Sequence, residues 1–155
     1  MTLVGEALNR RADLRKRLAE LPQRLGASAL VQEGDEPPER VEMLLAELDD
    51  LARELERLIA QINLTNATSR LPDGITVTEA LARRDVLAAR SAAVRFAIHA
   101  ATAHAPFGRR RRSEIRLVRL VNVAALQDRL ETLERSRREL ETALQRHNWT
   151  TALLE

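Results

Sequence analysis

Two arginines in this sequence stand where helical periodicity asks for aliphatic side chains: Arg11 between Ala7 and Leu14, and Arg84 between Ala80 and Leu87. A guanidinium turned inward, or into a contact between chains, needs an acceptor, because an unpaired charge away from water is costly. Glu6, Asp13, Glu79 and Asp85 are close in sequence, and Asn63 and Asn148 offer side-chain carbonyls. Two arrangements satisfy these arginines. They can snorkel out of an open bundle end and pair there. Alternatively, Arg11 and Arg84 form a small pocket for an anion or polar ligand with Asn63, Thr65, Asn66, Asp85, Asn148 and Trp149.

Arg109-Arg110-Arg111-Arg112 is the densest charge cluster. Four adjacent guanidiniums suit phosphate binding. No aromatic platform accompanies them, since Phe96, Phe107 and Trp149 are the only aromatics, and the net charge is only +2. The cluster reads better as a solvated loop, or as a partner for Glu33, Asp35 and Glu36, than as a nucleic-acid site.

Catalytic and metal chemistry find no residues to carry them. A ferritin-like di-iron bundle needs Glu-x-x-His on two helices. Three positions before His99, His104 and His147 stand Phe96, Ala101 and Leu144. His99 and His104 are five apart, so they do not share one helix face. There is no glycine-rich phosphate loop, no nucleophile elbow and no histidine in a recognisable nucleophile setting. Cysteine is absent, which removes thiol catalysis, disulfides and cysteine zinc sites. The expectation is no catalytic residues, no metal and no cofactor.

The elements that position these residues are long helices. Leu, Ala, Arg and Glu dominate the 155 residues, with five Gly and five Pro. A first helix is expected over 3–25 on the stripe Val4, Ala7, Arg11, Leu14, Leu18, Leu21, Leu25, kinked at Pro22 and closed by Gly26. A second runs over 39–66 with Val41, Leu45, Leu48, Ala52, Leu55, Ile59 and Ile62 as its main row. Leu44, Leu51 and Leu58 form a surplus row beside it, which suits a bundle interior or a subunit contact. Leu71-Pro72-Asp73-Gly74 is a turn, and Thr76 to Glu79 has capping-box spacing for a third helix over 77–104. Asn122 caps a fourth over 123–147 with Leu126, Leu130, Leu133, Leu140 and Leu144. Leu30-Val31-Gln32 and 114–118 read as short extended pieces.

The halves resemble each other. Glu6-Ala7-Leu8-Asn9-Arg10-Arg11 matches Glu79-Ala80-Leu81-Ala82-Arg83-Arg84, and Arg53-Glu54-Leu55-Glu56 matches Arg138-Glu139-Leu140-Glu141. The expected fold is all-α: one domain over 1–155, an antiparallel four-helix bundle of two helix–connector–helix repeats, 3–66 and 76–151. Leu30–Gln32 is expected to pair with part of Glu114–Val118 as a two-stranded ribbon at one end.

With these residues laid out, the chain resembles the small bacterial septicolysin-like family over nearly its whole length. The resemblance rests on Val31-Gln32-Glu33-Gly34, Ile62-Asn63-x-Thr65-Asn66, Asp73-Gly74, Ala80-Leu81-Ala82-x-Arg84-Asp85, Arg112-Ser113-Glu114-Ile115 and Asn148-Trp149-Thr150. It implies an all-helical protein, and the family's name implies a membrane-active lysin. Charged residues of both signs are mixed on every helix, which argues against a basic membrane-binding face. No leader resembles a signal peptide and no apolar run approaches the ~20 residues of a membrane span. The reading is a cytoplasmic, non-enzymatic structural or interaction protein forming a homo-oligomer. Membrane activity is the second reading, and binding of an anion or nucleic acid through arginines is the third.

Overall fold

The computed structural model describes residues 1–103 and 118–154. The fold is all-α, with four helices and no strands among the described residues. They are α1 (Val4–Ser28), α2 (Val41–Thr68), α3 (Val77–Thr102) and α4 (Val123–Thr150). Helix α1 packs on α2, and α3 on α4. The chain divides into two compact units: Met1–Val77 with Gln145–Glu155, and Thr78–Leu144.

Local chemistry explains most helix ends. The Glu6 carboxylate accepts the Leu3 backbone N–H at 2.8 Å at the start of α1. The Asn122 side chain accepts the Ala125 N–H at 3.1 Å and caps α4 as expected. Gly74 has φ +88° directly after the Pro72-Asp73 turn, and its N–H donates to the Leu71 carbonyl at 2.9 Å. Leu71 N–H in turn donates to Ile75, and Val77 N–H to Ser69, which closes the α2–α3 hairpin. At the far end of α1 the expectation was too short. The helix passes through Pro22 and Gly26 to Ser28, and Gly26 has no positive φ to end it. Leu21 is fully buried and Leu25 packs on the core beside it, which holds the last turns in helical register across the proline.

The α1–α2 core consists of Ala7, Leu14 and Leu21 against Leu44, Leu51, Leu58 and Ile62. This corrects the expected use of α2. The Leu44, Leu51, Leu58 row is not surplus but faces α1 together with Ile62, Leu48 and Leu55 of the main row, whereas Leu45 is 47% exposed. A subunit contact through Leu44, Leu51 and Leu58 is thereby removed. Glu47 and Glu54 pair across the two helices: Arg10 with Glu54, Arg17 with Glu47, and Arg24 with both Glu47 and Glu39, which precedes α2. Arg10, Arg17 and Arg24 step by seven along α1, as Glu54 and Glu47 do along α2. Each exposed pair adds little stability, and they flank the packed leucines on one side of the α1–α2 contact.

The ribbon does not form from its first half. Residues 30–32 lie in no strand and Leu30 is 88% exposed. Most of its other half, 114–117, lies outside the described residues, as does the Arg109–Arg112 cluster. Strand-like pairing among the described residues occurs at two isolated bridges instead, Leu3 with Ala152 and Arg70 with Thr76.

Candidate functional site

The polar residues expected at the end of α2 meet the end of α4 in the first compact unit. Thr65 is 1% exposed. Its hydroxyl donates to the Gln61 carbonyl at 2.8 Å and accepts the Leu154 backbone N–H at 3.0 Å. The chain after α4 is laced to the start of α1: Val4 N–H donates to the Thr151 carbonyl at 3.0 Å, and Leu153 N–H to that of Thr2 at 2.8 Å. Trp149 covers Gly5 so closely that a Cβ there would lie 2.9 Å from the indole ring.

Sequence reasoning missed the centre of this arrangement. His147 Nε2 lies 3.0 Å from the Ser69 hydroxyl, and its Nδ1 lies 3.2 Å from the Thr151 hydroxyl. Seventy-eight positions separate Ser69 from His147, so no motif could show the pair. One signal was present: His147 continues the buried row Leu133, Leu140 by one further step of seven. A serine beside a histidine invites comparison with a nucleophile and its base. The proton directions exclude that role here. Ser69 lies 2.6 Å from the Thr65 carbonyl, which can only accept. The Ser69 proton is committed there, so its oxygen accepts from Nε2–H. In neutral imidazole Nδ1 then accepts from Thr151. With that form the result is a one-way hydrogen-bond chain, Thr151 to His147 to Ser69 to Thr65. Burial pushes the His147 pKa down, which favours the same form. This is a latch fastening the end of α4 to the end of α2.

The other expected site residues are distributed as follows. Asn63 is exposed and Asn66 and Asn148 are half-buried, all in the first unit with Arg11, which is also half-buried. Arg84 and Asp85 belong to the second unit, where Arg84 donates to the Asp85 carboxylate at 3.0 and 3.1 Å. Beside the latch, in the first unit, a depression of about 530 Å³ is lined by Ala7, Leu58 and Leu153 with Arg10, Arg57 and Gln61. Among the described residues no group of three or more His, Asp or Glu could hold a metal ion, and no helix is long and apolar enough to cross a membrane.

A family of unknown function, DUF6847, matches residues 11–153. The chain belongs to that family. This overturns the septicolysin-like resemblance, and with it the lysin reading that rested on the name. The chain is also similar to a crystal structure of a functionally unknown conserved protein from Corynebacterium diphtheriae. The identity is 31%, 99% of each chain is covered, and the TM-score is 0.88. No curated protein matches.

Proposed function

We propose that this chain is a non-enzymatic structural or interaction protein that works as a homo-oligomer, with two copies paired along the outer face of α3. The observation that carries this reading is that α3 is apolar on two opposite faces. Ala80, Leu87 and Ser91 are buried, and Val94 and Ile98 continue their row half-buried. Two positions beyond these lie Ala82, Ala89, Ala93, Phe96 and Ala100, and two beyond the half-buried Arg84 of the same row lies Val86, all exposed. Two residues turn a helix by about 200°, so this second stripe points away from the first. Phe96 is 75% exposed and Val86 57%. An exposed apolar stripe marks a contact surface, and the small residues between Val86 and Phe96 allow a close helix partner.

The charges beside the stripe favour one orientation. In a parallel pair, the flanking position of one helix faces the position five residues on in the other. That sets Asp85 against Arg90 of the second copy, twice by symmetry. An antiparallel pair centred on the same stripe sets Arg90 against itself.

Light scattering tests the proposal at micromolar concentration. Wild type should weigh twice the 17.5 kDa chain, and Phe96→Asp should be monomeric. Asp85→Arg and Arg90→Asp should each weaken the dimer, while the double exchange restores it. A monomeric wild type, or a dimer indifferent to Phe96→Asp, overturns the reading. Failure of the double exchange to restore the dimer overturns the parallel arrangement.

A further inference from the structure

We infer that the depression formed by α1, α2 and the segment after α4 is a binding site for an amphipathic monocarboxylate: one acid group on an unbranched chain of several carbons. Its volume of about 530 Å³ lies within the range of small-ligand pockets. Its lining has two chemical parts. Ala7 and Leu58 are buried core residues, and Leu153 packs on the same core, so this side is aliphatic. Arg10, Arg57 and Gln61 supply the polar side, and Met1 and Thr2 complete the lining.

Charge bookkeeping selects the head group. Arg10 spends its fork on Glu54, with Nε 2.7 Å from one carboxylate oxygen and the terminal nitrogen 2.9 Å from the other. That hydrogen bond holds Glu54 below the usual carboxylate range, so it is an anion that neutralises Arg10. Arg57 adds attraction to Glu54 but forms no ion pair with it. Among the described residues of the lining, Arg57 is a guanidinium outside that pair, and its planar fork matches a carboxylate in bidentate fashion. Gln61 lies one turn further along the same face of α2 and presents an amide as second donor. A second negative charge on the ligand would meet Glu54, so a dianion such as a phosphate monoester is disfavoured. The aliphatic part takes the chain of the acid and shields the head-group contact from water.

This site differs from the arginine pocket expected from sequence. It uses Arg57 and Gln61 in place of Arg11 and Arg84, and it does not depend on self-association through α3.

Octanoate is the probe, titrated into the full-length protein with the alanine and leucine methyl groups observed by NMR. Saturable shifts should appear at the methyls of Ala7, Leu58 and Leu153. Octanol, which lacks the charge, and acetate, which lacks the chain, should not saturate over the same range. Octyl phosphate as its dianion should bind more weakly than octanoate. Arg57 is exposed, so Arg57→Gln should fold as wild type does. It should bind octanoate about tenfold to a hundredfold more weakly, the usual cost of losing a charge-assisted hydrogen-bond partner. Arg11→Gln should leave binding unchanged. Absence of saturation by octanoate, or saturation that Arg57→Gln leaves intact, overturns the assignment. Equal binding of octanol overturns the head-group argument and with it the proposal.

Discussion

Adding one methyl group at Gly5 should destabilise the protein although it lies in a helix, where alanine is normally the better residue. Replacing glycine by alanine in a helix gains at most about 1 kcal/mol. At Gly5 the new Cβ would lie 2.9 Å from two carbons of the Trp149 indole, against the 3.5–4.0 Å at which carbon atoms attract. The backbone resists moving, because hydrogen bonds of 3.0 and 2.8 Å tie residues 4 and 2, just before Gly5, to 151 and 153, just after Trp149. The indole must swing out instead. Trp149 is 51% exposed, so it buries roughly 100 Å² of a large aromatic side chain, worth about 2.5 kcal/mol at ~25 cal/mol per Å². The net change is a loss of about 1.5 kcal/mol, or a melting temperature lower by roughly 3–6 °C for a chain of this size. Trp149 is the only tryptophan, so its fluorescence reports the displacement directly as a red shift. Urea titration of Gly5→Ala, Trp149→Ala and the double variant completes the cycle. In the Trp149→Ala background Gly5→Ala should become neutral or stabilising. Equal effects in both backgrounds, or stabilisation of wild type by Gly5→Ala, would refute the close-contact argument.

Two further outcomes follow from the packing. His147 is held neutral with its pKa below the ordinary value, so its contribution is complete above about pH 6.5 and is lost as pH falls from there through the folded pKa; wild type should lose more urea resistance between pH 7.5 and 5.5 than His147→Gln, and parallel losses would show that the latch does not titrate. Leu51→Ala should cost about 2–5 kcal/mol and Leu45→Ala under about 1, read from denaturation midpoints; the reverse order would mean that α2 presents its other row to α1.

Helix content, the hairpin and the Asn122 cap were legible in the sequence because they depend on local chemistry. Period-3.6 leucine rows, Pro72-Asp73-Gly74 and Asn122 act within a few residues of themselves, and the structure places α2, α3 and α4 where those signals put them. The end of α1 was not legible. Pro22 and Gly26 are local stop signals, overridden by the burial of Leu21 and Leu25 against α2.

The choice between the two leucine rows of α2 belonged to tertiary structure alone. Leu44, Leu51 and Leu58 lie only one residue, or about 100° of turn, from Leu45 and its neighbours, and both rows are apolar enough to face a partner. Which residues turn inward depends on the α1 surface that α2 meets, where Arg10 and Arg17 also find Glu54 and Glu47, and no single helix contains that information. The latch is the same case at longer range. Ser69 and Thr65 are ordinary residues at a helix end, and His147 is an ordinary helix residue. Only the return of α4 to the end of α2 brings them within 3.0 Å and fixes the protons in one direction, because a hydrogen bond depends on distance in space and not on separation along the chain.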